Sequence, residues 1–162
     1  MTTEYVRVTM AEKELIWAMN KNDVTKVLDT IRRNTSSQSL NINCIYDTAQ
    51  TTPIIFASIN NINHFIHGAD PNRSLIPTKW TALHYACKRM NIKMIEVLSK
   101  FNNTNVNCQD VNGITPLHLL LSYNMGDKNN EQYVKCVQLL LVKHGMINIQ
   151  DRNDMTCLFH AI

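Results

Sequence analysis

The sequence predicts an all-α solenoid, built from helix–turn–helix units that are joined by β-turn or hairpin loops. The motif Thr-Ala-Leu-His-Tyr-Ala at residues 81–86 recurs as Thr-Pro-Leu-His-Leu-Leu at residues 115–120, and weaker copies begin at Thr52 and Thr156. The four threonines are spaced by 29, 34 and 41 residues. A second marker, an asparagine at positions 43, 72, 107 and 148, follows with spacings of 29, 35 and 41. Two markers that move together at a period of roughly 20–50 residues predict stacked repeats.

The markers divide the chain into units within one domain, residues 1–162. The approximate repeats are 9–43, 47–72, 76–107, 110–148 and an incomplete fifth, 151–162. Thr81 and Thr115 are expected to cap helices, because a threonine hydroxyl accepts from the unpaired N–H groups of a first turn. Pro53 and Pro116 are expected at the first helical position, where the missing N–H costs nothing.

The first unit lacks the full motif but contains a capping box, in which Thr9 is followed three residues later by Glu12. Residues 22–23, Asn-Asp, are expected to separate its two helices, and the polar residues 32–40 are expected to form a loop. The apolar stripes predicted for these helices are Leu15, Ala18 and Met19, and then Val24, Val27, Leu28 and Ile31.

The third and fourth units have apolar stripes on both helices. In the first helices these are Leu83 and Ala86, and Leu117 and Leu120; in the second helices they are Ile92, Ile95, Val97 and Leu98, and Val134, Val137, Leu140 and Leu141. Gly113 is expected to supply a positive φ in the turn between units. Lys79 and Gln50 occupy equivalent positions, where a positive φ costs about 1 kcal/mol, so we expect their turns to differ in shape.

Three units depart from a regular array. The second is short, so its second helix, around residues 62–67, is expected to be stunted or displaced. The fourth is long, with a polar insertion at residues 123–132. The fifth ends at Ile162 after one helix has begun, so we expect a fragment, a truncated gene product or a partner that covers this end.

Composition excludes several classes of protein. No run of 18 apolar residues predicts a transmembrane helix, and the N-terminus lacks a secretory signal pattern. Five widely spaced cysteines do not form a disulfide framework and indicate a reducing compartment. A net charge of +3 is too small for a nucleic-acid footprint.

Catalytic and cofactor signals are weak. His64 and His67 have no further ligand at metal spacing, so a zinc site is not expected. Cys87 and Cys157 are the only nucleophile candidates, and they lack an orienting group and an oxyanion hole. No phosphate-binding glycine motif occurs. We therefore predict a protein without enzymatic activity, cofactor or metal.

The repeated motif resembles that of the ankyrin repeat, whose period is about 33 residues. The resemblance covers residues 11–162, and the segments His-Gly-Ala-Asp-Pro-Asn (67–72) and Asp-Val-Asn-Gly-Ile-Thr (110–115) are similar to that family's unit ending and opening. Members of the family bind proteins through turn tips and the concave face of the first helices, which implies a set of candidate contact residues. At the tips these are Tyr46, Arg73, Ile76, Trp80, Asp110, Asn112 and Arg152; on the concave face they are Asn20, Lys21, Lys88, Arg89, Met90, Tyr123 and Asn124.

Trp80 has two interpretations. It precedes a capping threonine, a position usually open to solvent, and tryptophan is enriched among interface hot spots. Alternatively, it packs over the short second unit and fills the gap there. For the other candidates, the alternative is a solvated surface residue.

The chain also resembles the poxvirus ankyrin proteins in its 20 asparagines and 16 isoleucines, its unequal repeats and the phrase at residues 110–124. That resemblance implies a host-range or immune-evasion factor that binds a host signalling protein, and we expect NF-κB-family regulators first. It also implies that the protein is located in the host cytoplasm, with the nucleus as the alternative. It also implies the substrate-binding part of a ubiquitin-ligase adaptor, with Skp-Cullin-F-box recruitment only if a longer chain supplies the missing C-terminal segment. The alternative is a truncated, decayed reading frame with little activity. No nucleic-acid or membrane partner is expected.

Overall fold

The computed structural model describes residues 9–34, 40–44, 51–60, 68–122 and 131–161. These residues form seven α-helices and one 3-10 turn. The helices are α1 (Met10–Asn20), α2 (Val24–Asn34), α3 (Pro53–Ile59), α4 (Ala82–Lys88), α5 (Ile92–Lys100), α6 (Pro116–Leu121) and α7 (Glu131–Val142), and the 3-10 turn is Phe159–Ala161. The predicted all-α fold is confirmed. The loop expected at 32–40 is wrong at its start, because α2 continues to Asn34, and the insertion expected at 123–132 is wrong at its end, because α7 begins at Glu131. Residues 35–39, the turn at Gln50, the segment 61–67 and residues 123–130 lie outside the described residues.

The helices pack as two layers. The first helices α3, α4 and α6 stack side by side, and α5 packs against α7 in the second layer. Each complete hairpin, α1 with α2, α4 with α5 and α6 with α7, joins the two layers. The capping box predicted at Thr9 and Glu12 begins α1, and Pro53 and Pro116 begin α3 and α6 as predicted.

The predicted stripes of the first helices are buried, with Leu15, Leu83 and Leu120 at most 1% exposed. The stripe predicted for α7 is wrong in part, because Val134 and Leu141 are each 43% exposed. Tyr133, Cys136 and Leu140 are the buried residues of this helix. The apolar run in the sequence does not determine which side of α7 faces the core. In α5 the buried residues are Met94, Ile95, Leu98 and Ser99, whereas Ile92 and Val97 are only partly buried.

Three turns between units have a residue with a positive φ at the same position, two before the motif threonine. Gly113 has φ +78°, and the residues at the equivalent position, Lys79 and Asp154, both have φ +59°. The turn at Lys79 does differ in shape as expected, because the Leu75 N–H donates to Trp80 O across five positions, whereas the Asp110 N–H donates to Ile114 O across four. The reason given for that expectation is wrong, since Lys79 adopts the positive φ. The Lys79 N–H donates to Leu75 O at 2.7 Å, and Thr78 O accepts from the Val111 N–H of the next turn at 3.1 Å. These bonds offset the cost of left-handed backbone at a residue with a Cβ.

Candidate partner-binding surface

The histidine of the repeated motif joins one unit to the next. In the third unit, the Thr81 N–H donates to His84 Nδ1 at 3.2 Å, and His84 Nε2 lies 3.1 Å from Ile114 O of the fourth unit. A backbone N–H can only donate and a carbonyl can only accept, so the ring is the neutral tautomer with its proton on Nε2. Burial lowers the pKa of His84, which outweighs the opposing effects of the Ile114 carbonyl and the Asp110 carboxylate.

The fourth unit repeats this arrangement at its boundary with the fifth. The Thr115 N–H donates to His118 Nδ1 at 3.3 Å, and His118 Nε2 lies 3.3 Å from Met155 O. Burial again lowers the pKa of His118. Both signature histidines therefore hold the stack together as neutral rings and are not available to a partner.

The asparagines that mark the unit ends form a second ladder. Each side-chain amide donates to a carbonyl of the next unit and accepts from the N–H two residues further on. The bonds run from Asn43 to Gly68 O and Asp70 N, from Asn72 to Asn103 O and Asn105 N, and from Asn107 to His144 O and Met146 N, at 2.7–3.1 Å. The second marker is thus a structural connector and not a contact residue.

Glu12 gives the first unit the bond that each later unit receives from the asparagine of the unit before it. The Glu12 Oε1 accepts from the Asn41 N–H at 3.2 Å, and the Glu12 Oε2 accepts from the Thr9 N–H at 2.6 Å. In the later units, the N–H at the position of Asn41 donates to the asparagine of the preceding unit. The Glu12 residue is 8% exposed. One carboxylate therefore caps α1 and the first rung of the ladder together.

One face of α4 remains open after these contacts. Helices α3 and α6 flank α4, and α5 packs behind it. Tyr85, Lys88 and Arg89 have helical spacings of three and four residues, which places them on one face; Lys88 and Arg89 are exposed and Tyr85 is half-buried. We call these three residues, together with Trp80, the α4 face.

Trp80 is held in place on the α4 face by three contacts. Its ring lies edge-on to Tyr85 with centroids 5.0 Å apart and is stacked with His84 at 6.0 Å. Its Nε1–H donates to Asp110 Oδ2 of the next unit at 2.9 Å. These contacts lie within its own unit and the fourth unit, and the residue stays partly exposed.

The other predicted contact residues differ in accessibility. Those exposed on the surface are Arg73, Ile76, Lys88, Arg89, Asn112 and Arg152, together with Asn20 and Lys21. Met90 is half-buried at φ +54°, just beyond the C-terminus of α4, and packs against the core. Tyr46, Tyr123 and Asn124 lie outside the described residues.

Asp110 has an internal role in the structure. It is 8% exposed, and its Oδ1 accepts from the Asn112 N–H and the Ile114 N–H at 2.7 and 2.9 Å. Asp151 makes the same two bonds in the fifth unit, to Asn153 and Met155. We therefore assign Asp110 to the turn and not to a partner contact.

Tyr85 is a residue of this surface that the sequence reasoning missed. It follows the signature histidine directly, a variable position of the motif, and its neighbour Arg89 lowers the pKa of the phenol while burial raises it more. The signal was present in the sequence, since a large aromatic residue at a variable position of an otherwise structural motif indicates a surface role.

The thiols have the chemistry of buried side chains. Burial raises the pKa of Cys87 and Cys157, and raises the pKa of Cys136 to about 11. Protonated thiols are poor nucleophiles at neutral pH. Within the described residues, no three metal-ligating side chains cluster, and no helix is long and apolar enough to cross a bilayer.

Comparison with known proteins agrees with this geometry. Residues 54–143 match the family described as Ankyrin repeats (3 copies). No curated protein matches the chain. Ankyrin repeats are protein–protein interaction modules and are generally not enzymes. Since the match spans more than half of the sequence, the chain belongs to the ankyrin-repeat family.

Proposed function

We propose that this chain captures a host signalling protein, acting as a viral host-range or immune-evasion factor, with NF-κB-family regulators as the first candidates. The observation that carries the interaction role is the division of labour within the repeats. The motif histidines and ladder asparagines bond to neighbouring units, while Trp80, Lys88 and Arg89 project from a face that packs against no described helix. A rigid scaffold with variable exposed side chains is suited to protein recognition.

The viral and NF-κB parts of the proposal rest on the resemblance to poxvirus ankyrin proteins, namely the asparagine- and isoleucine-rich composition and the unequal repeats. Under the same resemblance, a longer chain with an F-box-like segment would connect the captured protein to a Skp-Cullin-F-box ligase. The chain described here would then supply the substrate-binding part.

The direct test measures binding of the purified chain to purified NF-κB subunits and their precursor by biolayer interferometry, beside a pulldown from host-cell lysate. Ile76→Arg places a charge on an apolar side chain at a turn tip that is 50% exposed. Val142→Arg makes the same type of change on α7, where the side chain is 78% exposed. We expect binding that Ile76→Arg weakens and Val142→Arg leaves intact. A folded chain that binds none of these proteins and recovers nothing above background would refute the proposal.

The competing hypothesis is a decayed reading frame. It predicts a broad, non-cooperative thermal transition, because lost inter-unit contacts would uncouple the repeats. The histidine bonds at two successive boundaries and the three complete asparagine rungs support a maintained domain, for which we expect one cooperative transition by circular dichroism.

A further inference from the structure

The excess positive charge of the chain is concentrated in the middle of its sequence. Residues 71–122 contain six lysines and arginines but only two acidic residues. The six cations are Arg73, Lys79, Lys88, Arg89, Lys93 and Lys100, and all six are exposed. This segment therefore has more net positive charge than the whole chain, whose net charge is +3.

Neither acidic residue in this segment forms an ion pair with the described cations of the α4 face, Lys88 and Arg89. Glu96 lies on α5, where its Oε1 is 2.5 Å from Lys135 Nζ of α7. Asp110 is buried and accepts two backbone N–H groups and the Trp80 indole N–H. Among the residues that the structure describes, Lys88 and Arg89 form no ion pair with a carboxylate, and the one carboxylate at Trp80 is that of the buried Asp110.

From this arrangement we infer that the α4 face binds a protein segment rich in aspartate and glutamate that also presents an apolar side chain. Lys88 and Arg89 supply the charge complementarity, and Trp80 and Tyr85 supply the apolar contact. This inference rests on the proposed interaction role and adds the chemistry of the partner.

The rings of Trp80 and Tyr85 are preorganised for this contact. The bond from Trp80 Nε1 to Asp110 and the edge-on packing on Tyr85 hold the indole in one position before a partner arrives. A side chain that is already ordered loses little conformational entropy on binding. Charge complementarity in turn contributes mainly to association rate and specificity.

Nucleic acid is the other polyanion that such a surface could attract. Its affinity grows with the number of phosphates that are neutralised, and the α4 face offers only two cations. Binding of single strands also uses aromatic platforms on which successive bases stack, whereas one face of Trp80 is stacked with His84. The geometry favours the acidic protein segment.

The experiment uses the full chain with Trp17→Phe, which leaves Trp80 as the single tryptophan, since the chain has two. Its fluorescence is followed during titration with a short glutamate-rich peptide that contains a leucine and a phenylalanine. The comparison ligands are the same peptide with lysine in place of glutamate and an oligothymidylate. We expect saturable, salt-sensitive binding of the acidic peptide that is at least about tenfold tighter than binding of either comparison ligand.

A pair of charge reversals with equal change in net charge tests the location. Lys88→Glu with Arg89→Glu alters the α4 face, whereas Lys93→Glu with Lys100→Glu alters α5, which lies behind it. We expect the first pair to weaken the acidic peptide about tenfold or more and the second pair to weaken it less than about threefold. Circular dichroism melts verify that both pairs remain folded, and Lys88→Gln with Arg89→Gln serves if the reversal unfolds the chain.

Equal weakening by both pairs, equal binding of the lysine peptide, or tighter binding of the oligothymidylate would each overturn the inference. If NF-κB proteins bind and the α4-face reversal does not affect them, this inference fails while the proposed function stands. If neither these proteins nor the peptide binds the folded chain, both fail.

Discussion

Replacing Asn72 with alanine removes two hydrogen bonds that join the second unit to the third. The amide Nδ2 donates to Asn103 O at 2.7 Å, and Oδ1 accepts from the Asn105 N–H at 2.8 Å. Alanine leaves both backbone partners in place but gives them no side chain to bond. The substitution thus tests the ladder itself, since the Asn72 N–H keeps its own bond to Asp70 Oδ1 at 3.0 Å.

The expected cost follows from the solvent exposure of these bonds. A neutral hydrogen bond contributes about 0.5–1.5 kcal/mol net, and both bonds of Asn72 are exposed. Water can therefore replace the lost partner in part. We expect a loss of about 1–2 kcal/mol in the free energy of unfolding, which lowers the melting temperature by roughly 2–8 °C for a domain of this size.

The assay is urea denaturation followed by circular dichroism, and Asn148→Ala is the matched control. Asn148 occupies the same position in the fourth unit, but its side chain makes no hydrogen bond to the residues that the structure describes. We expect Asn148→Ala to change the free energy of unfolding by less than about 0.5 kcal/mol. Equal losses for the two variants would show that the asparagine acts within its own loop, and no loss for Asn72→Ala would refute the ladder as a source of stability.

Three further predictions concern two polar groups and one turn of the stack. Burial lowers the pKa of His84 and His118 below 6.5 in the folded chain. Just below that pH the unfolded chain therefore binds more protons than the folded chain, so stability that is present at pH 7 is lost as the pH falls. Urea midpoints that stay constant between pH 7.5 and 5 would contradict this. Thr115→Val removes the hydroxyl 2.7 Å from His118 Nδ1 and should lower the free energy of unfolding by about 1–2 kcal/mol. Thr52→Val removes a buried hydroxyl without a partner among the described residues and should be neutral or stabilising. Urea denaturation compares the two variants, and a larger loss of stability for Thr52→Val would contradict the argument. Gly113→Ala should cost about 2 kcal/mol or more, because φ is +78° and a Cβ would lie 2.9 Å from Asp151 Cα; thermal melting checks this, and an unchanged melting temperature would show that the turn adapts.

The parts of the fold that the sequence predicted are those with local causes. The capping box at Thr9 and Glu12, the prolines that begin α3 and α6 and the buried leucines of the first helices depend on spacings of three or four residues. Such spacings can be counted directly along a chain. The family assignment followed from the same short motifs, in which Thr81, Thr115, His84 and His118 make hydrogen bonds at the boundaries between units.

The remainder depends on contacts between residues far apart in the sequence. Lys79 adopts a positive φ because neighbouring backbone bonds hold its turn, and no property of lysine indicates that. The bond from Trp80 to Asp110 spans 30 residues, so it gave Asp110 an internal role that its tip position did not suggest. The exposure of Val134 depends on which side of α7 packs against α5 and α6, and the apolar run does not determine that side. Which candidate residues are accessible to a partner therefore depends on the packing between units and could not be predicted from the sequence.

The asparagine ladder explains how units of unequal length stack in the same way. Each asparagine accepts from the N–H of the next unit at almost the same distance, although the bonded residues are 27, 33 and 39 positions apart. The three bonds are Asn43 to Asp70 at 2.7 Å, Asn72 to Asn105 at 2.8 Å and Asn107 to Met146 at 2.8 Å. The additional or missing residues fall between these fixed points, within the segments that connect them. Because stability resides in bonds between neighbouring units, the lengths of these segments and the side chains of the α4 face are free to vary with the partner while the stack is maintained.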